Sequence, residues 1–84
     1  MKNGIYIVAT PIGNLGDISA RAKEILQAAE IVACEDTRVT KKLFTLLGLS
    51  TRKEFIRLDD HNEATQTENL VAMAQEGKII AQVS

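Results

Sequence analysis

Three stretches of this chain gather the side chains able to do polar chemistry. Thr10-Pro11-Ile12-Gly13-Asn14-Leu15-Gly16-Asp17 follows an apolar run from Ile5 to Ala9 and leads at once into a helical pattern. Glu35-Asp36-Thr37-Arg38 follows the run Ile31 to Cys34, and Asp59-Asp60-His61-Asn62-Glu63 follows Phe55 to Leu58. Carboxylates and an imidazole can accept a proton or hold a hydroxyl. Glycines and a helix N-terminus let a backbone approach a ligand closely. Each stretch also has a plainer reading. The first is a β–α turn with Asp17 as a cap. Asp36 or Thr37 alone reads best as a helix cap, with anions favoured by the helix dipole. His61, the only histidine, is more often a packing or hydrogen-bonding residue than a base. The adjacent carboxylates Glu35 and Asp36 repel each other, and Arg38 is the nearest compensating charge.

The elements around these stretches decide whether they can meet. Four apolar runs, Ile5–Ala9, Ile31–Cys34, Phe55–Leu58 and Ile79–Val83, alternate with three helical patterns. The first, second and fourth read as strands covered on both faces. Phe55-Ile56-Arg57-Leu58, interrupted by Arg57, reads as a sheet-edge strand. Ile18, Ala22, Ile25, Leu26 and Ala29 form one helical stripe, with Asp17 or Ser19 as its cap. Val39, Leu43, Leu46 and Leu47 form a second stripe, stopped by Gly48. Thr65-Gln66-Thr67-Glu68 reads as a capping box opening a third helix, which runs through Leu70, Val71, Met73 and Ala74 to Gly77. The order predicts an α/β fold: a parallel sheet of four strands with three crossover helices. In such a sheet all three polar stretches leave the carboxyl ends of strands, so they share one edge, where ligands sit.

Composition narrows the classes. The chain has 84 residues, 45% hydrophobic and 25% charged, which describes a folded globular piece. No apolar run approaches the roughly 18 residues of a membrane span, and Met1-Lys2-Asn3-Gly4 carries no export signal. The single cysteine, Cys34, fits a reducing cytoplasm and packs as a small apolar residue. With one histidine and one cysteine, no metal site is expected. Net charge is −1, but Arg38, Lys41, Lys42, Arg52, Lys53 and Arg57 face only Glu54 between residues 37 and 57. That stretch reads either as a solvated face or as a phosphate-facing edge. The first loop is neither a dinucleotide fingerprint nor a P-loop, and no nucleophilic triad is present.

Taken together, the stretches go beyond a generic α/β domain. Tyr6-Ile7-Val8-Ala9-Thr10-Pro11-Ile12-Gly13-Asn14-Leu15-Gly16-Asp17-Ile18 resembles the opening of the tetrapyrrole-methylase superfamily, in particular its ribosomal RNA branch. Cys34-Glu35-Asp36-Thr37-Arg38, followed by Thr40-Lys41-Lys42-Leu43, resembles the second signature of that branch, and His61-Asn62-Glu63 its third. The likeness runs in order over essentially the whole chain.

The resemblance implies two α/β domains with S-adenosylmethionine bound in the cleft between them. It implies methylation of the ribose 2′-hydroxyl of a cytidine in small-subunit ribosomal RNA, by a cytoplasmic homodimer. It also places the fourth strand inside the sheet. The family pattern continues past Ser84 with a donor loop and a second domain, so residues 1–84 are expected to be part of the N-terminal domain. On that likeness Glu35, Asp36, His61 and Glu63 are candidates for accepting the proton or holding the ribose. Thr10, Pro11, Gly13 and Ser84 would border the donor. Asn14, Asp17, Thr37, Arg38, Lys41, Lys42 and Asn62 would face the substrate, with Arg38, Lys41 and Lys42 on phosphates. The alternatives are methylation of a tetrapyrrole or other small molecule, and a non-catalytic α/β binding module.

Overall fold

Strand β1 spans Gly4–Val8, β2 Ile31–Cys34, β3 Glu54–Arg57 and β4 Ile79–Val83. Helices α1 (Ala20–Ala28), α2 (Thr37–Leu46) and α3 (Glu63–Gln75) connect them, with a short 3-10 turn at Leu15–Asp17. The computed structural model describes residues 1–10 and 15–84. The expectations for Pro11, Gly13 and Asn14 therefore lie outside the described residues. All pairings are parallel, in the order β1-β4-β2-β3. The fourth strand is inserted between the first and second, and β3 lies at an edge, both as expected.

Residues of alternate parity build two cores, because successive side chains on a strand point to opposite faces. Val8, Val32 and Ala81 pack with Ile25, Leu26, Ala29 and Phe44 on the face covered by α1 and α2. Ile31, Ala33 and Ile80 pack with Leu70 and Ala74 of α3 on the other. Every residue of β2 is buried, which is why that run carries no polar residue. Phe44 meets Phe55 edge to face, with ring centroids 5.3 Å apart, and so ties α2 to the edge strand.

Several local expectations need correction. β1 is not covered on both faces: Ile7 is 68% exposed. α3 buries only residues in its second half, Leu70 and Ala74; Ile5 packs against that cluster and Ile7 does not join it. The buried line of α2 is also rotated. Val39 and Leu46 are exposed, while Thr40 and Phe44 are buried. Thr40 tolerates that position because its hydroxyl donates to the Asp36 carbonyl at 2.9 Å, which satisfies the polar group. Of the two caps expected for α1, Ser19 serves, its Oγ accepting from the Ala22 N–H at 3.0 Å; Asp17 lies in the preceding turn. α3 starts at Glu63, so the Thr65-to-Glu68 box falls inside the helix rather than at its start. Gly48 ends α2 with φ +74° and Gly77 follows α3 with φ +103°, the left-handed stops that a residue with Cβ resists.

Candidate active site

The topology brings the ends of β1, β4, β2 and β3 to one edge. There they line a cleft of about 630 Å³. Thr10 and Ser84 form one side, Glu35 and Asp36 the middle, and the turn from Arg57 to His61, with Glu63, the other side. Of the residues singled out in the sequence, Thr10, Glu35, Asp36, His61, Glu63 and Ser84 line this space. Thr37, Arg38, Lys41, Lys42 and Asn62 do not. Asp17 is exposed and also lies off the cleft.

The β1 and β4 ends are pinned to each other. The Ser84 N–H donates to the Val8 carbonyl at 3.0 Å. The Ser84 carbonyl accepts both the Thr10 N–H at 3.2 Å and the Thr10 hydroxyl at 2.8 Å. Thr10 thus spends its donors on fixing the chain where β4 leaves the sheet.

At the end of β2 the two adjacent carboxylates take different roles. Asp36 caps α2, its Oδ1 accepting from Arg38 N–H at 3.0 Å and Val39 N–H at 3.3 Å. Those are two of the otherwise unsatisfied first-turn donors. The expected compensation by the Arg38 side chain does not occur: Arg38 contributes its backbone N–H, and its guanidinium forms no ion pair among the described residues. Glu35 is exposed and makes no hydrogen bond or ion pair among the described residues. Cys34 directly behind is buried. Burial pushes its thiol above the usual range, with the Thr40 hydroxyl pulling the other way. It is therefore a packing residue, not a nucleophile.

The turn after β3 is braced from within. Asp59 Oδ1 accepts from the His61 N–H at 2.9 Å and the Asn62 N–H at 3.0 Å. Its Oδ2 pairs with Arg57 Nε at 3.2 Å. Asn62 returns the contact: its Oδ1 accepts from the Asp59 N–H at 2.8 Å and its Nδ2 donates to the Arg57 carbonyl at 3.0 Å. With its side chain committed backwards, Asn62 gives α3 no side-chain cap. Loss of solvent pushes the Asp59 carboxyl upward, but the two N–H donors and the Arg57 and His61 charges outweigh it and hold it below the usual range. Asp59 and Asn62 thus form a frame that presents Asp60 and His61 to the cleft.

Asp59 and Arg57 stand in stretches singled out in the sequence, but without the bracing role they take here, and Gln82 is not singled out at all. Asp59 and Arg57 form the brace, and only their short spacing across a turn hinted at it. Gln82 lines the cleft from the inner strand β4. Its signal was a lone amide within Ile79-Ile80-Ala81-Gln82-Val83.

The cleft is acidic. Among the described residues that line it, Glu35, Asp36, Asp59, Asp60 and Glu63 face only Arg57 and His61. Such a space favours cations and repels phosphates. No group of three or more metal-ligating side chains is assembled among the described residues. None of their helices is long and apolar enough to cross a membrane.

A family model described as tetrapyrrole (corrin/porphyrin) methylases matches residues 4–84. The chain is similar to proteins called ribosomal RNA small subunit methyltransferase I. It is 56% identical over 72 residues to that of Erythrobacter litoralis, covering 86% of this chain and 25% of that protein. It is 51% identical over 80 residues to that of Escherichia coli O157:H7, covering 95% and 27%. It is 43% identical over 83 residues to that of Leptospira biflexa, covering 99% and 34%. The chain thus spans between 25% and 34% of the length of these relatives.

Proposed function

Because the chain belongs to the tetrapyrrole methylase family, we propose that it forms one wall of the active cleft of an S-adenosylmethionine-dependent methyltransferase. Its substrate is the ribose 2′-hydroxyl of a cytidine in small-subunit ribosomal RNA, and it works in the cytoplasm as a homodimer. Residues 1–84 form part of the N-terminal domain of a two-domain enzyme, with the donor loop and second domain outside this chain. The relatives' names support ribosomal RNA as substrate.

The observation that carries the reading is the acidic cleft at the common strand edge. S-adenosylmethionine supplies a methyl group on a cationic sulfonium, and the donor set of the cleft suits a cation. Thr10 and Ser84 hold the β1 and β4 ends in register beside it. Glu35, with no internal partner, is free to hold a hydroxyl or take its proton; Asp36 has one oxygen committed to α2. On the opposite wall stand His61, on the turn fixed by Asp59 and Asn62, and Glu63, the first residue of α3. These groups align the acceptor oxygen and accept its proton, which is what the protein must provide when the leaving group is already activated.

The test uses the full-length protein with methyl-labelled donor and small ribosomal subunits, followed by digestion to nucleosides. Label is expected in 2′-O-methylcytidine. Label on a base, or on a tetrapyrrole precursor but not on RNA, overturns the reading.

A further inference from the structure

The acidic wall of the cleft disfavours phosphates, which points to cations elsewhere on this chain for the backbone. Resting on the RNA reading above, we propose that the outer face of α2, carried by Arg38, Lys41 and Lys42, is the docking surface for that phosphodiester backbone.

The structure divides the basic stretch 37–57 into committed and uncommitted cations. Arg57 pairs with Asp59. Lys53 Nζ donates to the carbonyls of Gln27 and Ala29 at 2.9 and 2.7 Å, closing the end of α1. Arg52 is exposed and forms no ion pair among the described residues, but it lies in a hollow at the opposite end of the sheet, with Glu30, Lys53, Glu54, Glu76 and Lys78, away from the cleft. Near the cleft, Arg38, Lys41 and Lys42 on α2 remain outside any ion pair among the described residues, Lys41 resting its ammonium against the Phe55 ring. All three are exposed. Positions i, i+3 and i+4 place them on one side of the helix.

Two details argue against an idle solvated face. Arg38 stands in the first turn of α2, where the positive end of the helix dipole disfavours a cation. Lys41 Nζ lies 5.3 Å from the centre of the Phe55 ring, which restrains its stem and orders its charge. Val39 connects this face to the cleft. It is 64% exposed, neighbours Arg38 and also lines the cleft. A strand held on α2 therefore passes its sugar over Val39 towards Glu35. Phosphate contacts of this kind fix position without reading sequence.

The test measures binding of a short labelled oligouridylate to the full-length protein over a series of salt concentrations. Replacing Arg38→Gln and Lys42→Gln together is expected to lower the slope of log affinity against log salt by about 1.4, from about 0.7 per lost contact on a single strand. Arg21→Gln, whose cation is already paired with Glu24 on α1, is expected to leave the slope unchanged. An unchanged slope in the double variant overturns the docking surface. So does a full-length protein that methylates ribosomal RNA yet shows no salt-dependent binding of the oligouridylate; the RNA reading then stands alone. Failure to methylate any RNA removes both. Retention of an acidic protein on α2 with an unchanged RNA slope also overturns it.

Discussion

Asp59 and Asn62 show how much one turn depends on two side chains. Each satisfies the other's backbone N–H, and Asp59 also ties down Arg57. Replacing Asn62→Ala removes two such bonds. Urea unfolding of the full-length protein should show a loss of about 1–2 kcal/mol, at roughly 1 kcal/mol per net bond. The depressed Asp59 carboxyl adds a pH signature. A carboxyl held below its ordinary value stabilises the fold above that value and loses the contribution as pH falls through the folded value. Asp59→Asn should therefore flatten stability against pH on the acid side of about pH 4 and change little of its shape near neutrality. An unaltered acid limb would show that the brace is not electrostatic. None of this was legible in the sequence. Asp59-Asp60-His61-Asn62 reads as four polar residues in a loop, and only coordinates reveal which two point inward at the backbone. The Asp36 cap was legible, because a single carboxylate before a helix has a narrow range of uses.

At the scale of elements, the strands were read more faithfully than the helix faces. Ile31 to Cys34 could only be a buried strand: it is too short for a helix and wholly apolar. α2 misled in part: of Val39, Leu43, Leu46 and Leu47, Leu47 packs on the core in line with Thr40 and Phe44, while Val39 and Leu46 fit a helical period equally well and are exposed. A threonine that bonds its own backbone is as much at home inside as a valine, and composition alone cannot show that bond. The start of α3 was misplaced for a related reason. A capping box is a local pattern, whereas the frame built by Asn62 fixed the helix two residues earlier. Phe44 makes the element-scale prediction. It is fully buried and packs against Phe55, joining α2 to the edge of the sheet. Phe44→Ala should cost about 3–5 kcal/mol in denaturant unfolding, and Val39→Ala, at an exposed site, less than about 0.5 kcal/mol. Equal losses would mean that the helix is turned the other way.

For the molecule as a whole, the parallel order β1-β4-β2-β3 separates two kinds of surface. The carboxyl ends of the strands gather acids around a cleft, and the flank of α2 carries free cations. Alternation of apolar runs with helical stripes was enough to predict a parallel sheet and a shared edge. It did not give the strand order, since inserting β4 between β1 and β2 or adding it at the rim satisfies the same pattern. That order came from resemblance to the family, and the pairing of β4 with both β1 and β2 agrees with it. The separation of charge was hidden as well, because Lys53 and Arg57 look as free in the sequence as Arg38 and Lys42.

Turns distant along the chain make a single donor-binding cleft in this proposal. Amide chemical shifts of the full-length protein, followed while S-adenosylmethionine is added, address it directly. Saturable shifts are expected at Thr10, Glu35, His61 and Ser84, with none at Lys53 or Lys78 at the opposite end of the sheet. Saturable shifts that cluster around Lys53 and Lys78 and spare the four cleft residues would contradict it.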